Sequence, residues 1–185
     1  MRLTENRKLA CAVLVICILV SVFAFGGGAL SRERAKVLKV FSEGTDSTLN
    51  VRHSMDAYLD SAAESAQIMA SEAAVYQPDN PKADSVARSA GVLGDDSAGP
   101  DARYEAFTSL KTDIEKLYSD LKTDLSDDSF RDFKLAYDDF WGCEDLIKRD
   151  EYHQLAAKYN DMISGFPGKV VAGITGNGSL NTFGS

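Results

Sequence analysis

The apolar residues of this chain fall into one unbroken run followed by a series of stripes. From Leu9 to Leu30 the sequence reads LACAVLVICILVSVFAFGGGAL, 22 residues without a charge. At about 1.5 Å per residue a helix of that length spans roughly 33 Å, enough for a hydrocarbon core of about 30 Å. A buried helix of a soluble domain normally shows a polar face, and this run shows none. The expectation is a basic tail over 1–8 and a retained transmembrane helix over 9–30, with the bilayer contacted through Leu9 to Leu30. The rival reading is a cleaved signal peptide. The basic start from Arg2 to Lys8 suits both readings, and Gly26 to Ala29 offer small residues to a peptidase. Signal peptides, however, usually have shorter apolar cores of about 7–15 residues. A lipoprotein does not fit, because Cys17 follows the bulky Ile16 in mid-run.

After the run the pattern turns helical. Ala35, Val37, Leu38, Val40 and Phe41 give an amphipathic helix over 32–41 that ends at Gly44, with Asp46 or Ser47 able to cap its successor. A long helix is expected over 49–76, with Leu49, Met55, Leu59, Ala62, Ala63, Ala66, Met69 and Ala73 mostly three or four apart. Pro78 and Pro81 make 77–81 a turn with Asn80 as a cap. A short helix over 82–93 follows, then the loop GDDSAGP over 94–100. In the next helix, over 101–125, Tyr104, Phe107, Leu110, Ile114, Leu117, Leu121 and Leu125 step by 3, 3, 4, 3, 4 and 4. That is a clean apolar stripe with Lys and Asp outside it. Residues 126–129 are a break. One helix is expected over 130–166, carrying Phe133, Tyr137, Phe140, Trp141, Leu146 and Ile147, with Gly142 as the place for a bend. The remainder, 167–185, is Gly- and Ser-rich and is expected to be a mobile tail, pinned at most by Val170, Val171 or Phe183. No strand pattern occurs. Short links between long helices imply antiparallel neighbours, so the fold class is all-α: an N-terminal transmembrane helix and an elongated, four-helix-bundle-like domain over 31–166.

Charge narrows the function. The chain carries −8 overall, +2 within residues 1–30 and −10 beyond them. An acidic body argues against nucleic acid and against lying flat on anionic lipid. Basic residues flank the run on both sides: Arg2, Arg7 and Lys8 before it, Arg32, Arg34, Lys36 and Lys39 after it. The count alone slightly favours a cytoplasmic body. A short basic tail ahead of an apolar run is nevertheless how a signal anchor starts, and long domains translocate regardless of charge. The body is therefore expected outside the cytoplasm.

Candidate chemistry is sparse. The only histidines are His53 and His153. A di-iron bundle needs Glu-x-x-His on two helices, and Asp150-x-x-His153 is a faint echo of one such motif. Cys143 and His153 are ten residues apart on one helix, about 15 Å, too far for a nucleophile and its base. Asp95-Asp96, Asp127-Asp128 and Asp138-Asp139 lack calcium-loop spacing. No Gly-rich phosphate loop is present. With Cys11 and Cys17 inside the apolar run and Cys143 alone in the body, no disulfide framework exists there. No cofactor, metal or catalytic residue is assigned.

The segment Arg149-Asp-Glu-Tyr152-His-Gln-Leu-Ala-Ala-Lys-Tyr159-Asn160-Asp-Met-Ile163-Ser-Gly-Phe166-Pro167, continued by Ala172-Gly173, resembles the LemA family of bacterial membrane proteins. That family's signature is an Arg, two Tyr-Asn pairs seven residues apart, an Ile, a Phe-Pro, an Ala-Gly segment and a late aromatic, here Phe183. The first pair departs from it, reading Tyr152-His153. The specific match covers about residues 149–183. The resemblance implies a bacterial membrane location and no established enzyme activity. Physically, Tyr152, Ala156, Tyr159, Ile163 and Phe166 share one helix face, so they are expected to pack, with Tyr159 and Phe166 in the core. Asn160 beside that face is expected to bond a neighbouring helix, and Pro167 to stop the helix. The function expected is a membrane-tethered, non-catalytic interaction or scaffold module. It would work with another envelope protein or with itself. The alternative is an extracytoplasmic ligand-sensing bundle that acts through a membrane partner.

Overall fold

The computed structural model describes residues 7–47, 50–51, 54–124 and 130–183. Among the described residues seven helices appear: α1 (Arg7–Glu43), α2 (Met55–Tyr76), α3 (Pro81–Leu93), α4 (Pro100–Asp124), α5 (Arg131–Lys148), α6 (Tyr152–Ser164) and α7 (Gly168–Thr175). The uncharged run and the amphipathic segment after it form a single 37-residue helix, closed where Gly44 N–H bonds the Val40 carbonyl. Asp46 and Ser47 do not cap α2. They form a two-residue antiparallel pairing, β1 (Asp46–Ser47) with β2 (Asn50–Val51). The cap is Ser54, whose hydroxyl accepts from Ala57 N–H at 3.1 Å. Asn80 caps α3 as expected, accepting from Lys82 N–H at 2.9 Å with Pro81 in the first turn. Leu49, His53, Leu125 and the break at 126–129 lie outside the described residues.

Helix α2 is the spine of the body, lying close to both α5 and α3, while α3 in turn lies close to α4. Its Ala62, Ala63, Ala66, Ala70 and Ala73 are buried, and side chains this short let two backbones approach. The opposite side of the core is built from large rings. Phe107 meets Phe140 at 5.8 Å, and Tyr118 meets Phe133 at 6.3 Å and Tyr137 at 4.1 Å, which keeps the α4 and α5 backbones further apart. The expected stripe on α4 is buried at Phe107, Leu110, Ile114, Leu117 and Leu121. On α5, Phe133, Phe140 and Ile147 are buried, Tyr137 and Trp141 are half-buried, and Leu146 is exposed.

Three expectations fail at the C-terminal end. The helix expected over 130–166 is broken at 149–151, not bent at Gly142. Arg149 and Asp150 N–H groups close back on Leu146 and Ile147 carbonyls, and the Asp150 carboxylate takes the Tyr152 N–H at 2.8 Å. That local side-chain bond sits just ahead of α6, whose N-cap is Glu151, and the break resets the phase of everything after it. Helix α6 then stops at Ser164, since Gly165 is extended, and Phe166 leaves the apolar face to stand 90% exposed. Finally, residues 167–183 are not a mobile tail. They form α7 and a packed segment in which Val171, Ala172, Asn177, Leu180 and Phe183 are buried, while Val170 is exposed. Gly168 is where α7 turns back on α6: a Cβ there would lie 2.0 Å from the Met162 carbonyl oxygen, so only glycine fits.

Among the described residues no helix is long and apolar enough to cross a membrane. The side chains of Leu9, Ile18, Leu19 and residues 22–25 of α1 lie outside that description.

Candidate functional site: a clasp around the C-terminal segment

Tyr152, Tyr159 and Asn160 of α6 converge on the segment after α7. Resetting the helix phase at Asp150 turns Tyr152, Ala156 and Tyr159 inward, all fully buried. Each polar end then takes a backbone group of the segment. Tyr152 donates its hydroxyl to the Asn181 carbonyl at 3.0 Å, and Tyr159 donates to the Asn177 carbonyl at 3.3 Å. Asn160 does not bond a neighbouring helix. Its amide donates to the Leu180 carbonyl at 2.8 Å and accepts the Leu180 N–H at 2.9 Å. Such side-chain pairing supplies the hydrogen bonds that a stretch without helix or strand cannot make for itself.

Phe183 ends the clasp. Its ring is 1% exposed and lies 5.9 Å from Phe41 of α1, 5.4 Å from Tyr104 and 6.2 Å from Phe107 of α4, and 6.4 Å from Tyr152 of α6. One side chain thereby joins three helices. At the near end, buried Asn177 donates to the Ser31 hydroxyl at 3.1 Å and to Thr175 Oγ1 at 2.8 Å. Helix α7 lies on α1 at Gly26 and Gly27. A Cβ on Gly27 would come within 2.7 Å of Thr175 Cγ2, and one on Gly26 within 3.6 Å of a Val171 methyl. Gly26 and Gly27 thus form a seat for α7.

The other motif residues sit apart. Arg149 is exposed and pairs with Asp145 at 2.9 Å; Ile163 is half-buried; Phe166 and Pro167 are exposed. Burial pushes the Tyr152 hydroxyl up to about 12, with Asp101 adding to the rise and Arg34 opposing it, so the phenol is a fixed neutral donor. Neither thiol nor imidazole chemistry assembles nearby. Burial, helped by Asp139, raises the half-buried Cys143 thiol and keeps it protonated. The His153 ring lies with Nε2 2.6 Å from the Ile147 carbonyl, serving the end of α5.

A second polar cluster escaped the sequence reading. Arg103 is 2% exposed, and its guanidinium bonds Asp56 and, at 2.5 Å, Asp60. The carboxylates of Asp56, Asp60 and Asp96 lie within 4.8 Å of one another. Arg103 supplies positive charge to Asp56 and Asp60, as Lys111 and Lys148 do for buried Glu144 at 3.5 and 2.9 Å. The signal was present. Arg103 precedes Phe107 by four, and Glu144 follows Phe140 by four and precedes Ile147 by three, so both charges occupy positions on apolar stripes. The clefts described, such as the one lined by Asn160, Ile163, Lys169 and Asn177, are open to solvent. The chain matches no family model, no curated protein and no solved structure.

Proposed function

We propose that the chain is a LemA-like, membrane-tethered helical module of the bacterial envelope that acts by binding another envelope protein or a second copy of itself, without catalysis. The observation that carries the tether is α1. It runs unbroken from the uncharged segment into the body, where Val37 and Phe41 are buried. Val13, Leu14, Val15, Ile16 and Val20 meanwhile stand exposed on its first half. Apolar side chains left in water along several helical turns are unfavourable, and a bilayer removes that cost.

The binding role is supported by the fate of the polar groups. The buried ones serve packing, the clefts among the described residues are open to solvent, and Tyr152, Tyr159 and Asn160 hold the chain's own backbone. The body is placed outside the cytoplasm on the signal-anchor pattern of the first 30 residues. Alkaline carbonate washing tests the tether: the chain is expected to stay in the membrane pellet, and recovery in the wash refutes it. Protease added to spheroplasts tests the side, with cleavage expected in the 94–100 loop; protection until lysis puts the body in the cytoplasm. Crosslinking in native membranes, read by mass spectrometry, tests the role, since a chain that captures neither itself nor an envelope protein is not a scaffold.

A further inference from the structure

The clasp leaves one apolar surface uncovered, at the elbow between α6 and α7. Phe166 is 90% exposed and Ile174 66%, with Met162 and Val170 close to half. Exposed apolar residues gathered at one place normally mark a surface that meets something. Two observations identify what.

The first is depth. Helix α7 rests on α1 at Gly26 and Gly27, three and four residues before Leu30, the last residue of the uncharged run. At about 1.5 Å per residue this contact lies roughly 4.5–6 Å inside the end of that run. The second is charge. The body is strongly acidic, yet residues 162–185 contain no Asp or Glu and a single cation, Lys169. Lys169 is exposed beside Val170, and a lysine stem lying along apolar surface can lift its ammonium to a phosphate layer.

We infer that the α6–α7 elbow is a second membrane contact. Phe166, Val170 and Ile174 enter the boundary between headgroups and acyl chains of the leaflet from which α1 emerges. This rests on the reading of α1 as a membrane span. The contact turns a single-point tether into a two-point one. It holds the body at a fixed height and in a fixed rotation over the bilayer. An interfacial helix of this kind needs no net affinity of its own, because α1 already holds it at the surface.

Single-cysteine forms of the full chain test the inference, with Cys11, Cys17 and Cys143 replaced by Ala. Cysteine is introduced at Leu14, Val75, Phe166 or Ile174, all exposed positions, and labelled with nitrobenzoxadiazole. The labelled chains are reconstituted into phosphatidylcholine–phosphatidylglycerol vesicles carrying lipids spin-labelled near the headgroup or deep in the acyl chain. Probes at 166 and 174 are expected to emit to the blue and to lose most of their fluorescence to the shallow quencher. The probe at 14 should respond to the deep quencher and the probe at 75 to neither. Quenching at 14 with red, unquenched emission at 166 and 174 leaves the anchor standing and overturns the elbow contact. Blue but unquenched emission at 166 and 174 means protein covers the elbow, from a second copy, and also overturns it. Absence of quenching at 14 removes the anchor reading itself.

Discussion

Phe183 and Phe166 are two aromatics of one motif region with opposite environments, and truncating each to Ala separates their roles. Phe183 is 1% exposed among four rings at 5.4–6.4 Å. Returning such a side chain to water costs roughly 1.5–3 kcal/mol. The hole left between α1, α4 and α6 adds to this, because those rings belong to three helices that cannot all close on it, bringing Phe183→Ala to about 3–5 kcal/mol. For a chain of this size each kcal/mol shifts the melting temperature by about 2–4 °C, so Phe183→Ala should melt about 6–20 °C below the parent. Phe166→Ala removes a ring that the protein does not bury, and a surface change of that kind stays within about 0.5 kcal/mol. Thermal unfolding of the full chain in detergent, followed by near-ultraviolet circular dichroism, reads both. Equal melting temperatures for Phe183→Ala and parent would show that the C-terminal segment is not part of the core and would sink the clasp. A large drop for Phe166→Ala would restore that residue to the core.

Three further outcomes follow from the same geometry. Tyr152 is held neutral up to about 12, above the ordinary phenol value near 10, so the stability it contributes is complete below pH 10 and is lost as pH rises from 10 to 12. Urea midpoints across that window should fall by the equivalent of about 2–3 kcal/mol more in the parent than in Tyr152→Phe; identical slopes would contradict a buried donor. Asn160→Ala strips both hydrogen bonds from Leu180 and should cost about 1–3 kcal/mol while speeding proteolysis after Gly176, and unchanged protease resistance would refute the pairing. Arg103→Leu leaves Asp56 and Asp60 without their cation, and because both carboxylates keep some contact with water it should cost about 1–3 kcal/mol at pH 7; no loss at all would mean water already serves those carboxylates.

The body's helices were legible where burial follows spacing. Phe107, Leu110, Ile114, Leu117 and Leu121 recur every three or four residues, and a helix that hides them has no other choice of face. Asn80 and Pro81 announced α3 by chemistry that acts within two residues. What stayed illegible acts across distance or against the period. The break at 149–151 is made by backbone bonds back to Leu146 and Ile147 and one Asp150 side-chain bond to Tyr152 N–H, and an acid within Arg149-Asp-Glu looks like any solvated position. The segment after Gly176 looks too rich in Gly and Ser to fold. Its partners are Tyr152, Tyr159 and Asn160, 18 to 29 residues back in the chain, and side-chain bonds to backbone leave no periodic trace. Tyr159 in the core and Phe166 outside it were indistinguishable by spacing, because the spacing argument assumes a helix that Gly165 ends too soon.

The 37 residues of α1 make a rod about 55 Å long. Its weakest joint is the triple glycine at Gly26 to Gly28, where helix propensity is lowest. Helix α7 lies across two of those glycines, and Asn177 is tied to Ser31 just beyond them. The joint is therefore splinted. While the splint holds, torque applied at one end of the rod arrives at the other without slack; if it lifts, the rod acquires a hinge at its middle, and the body can swing while its own packing stays intact.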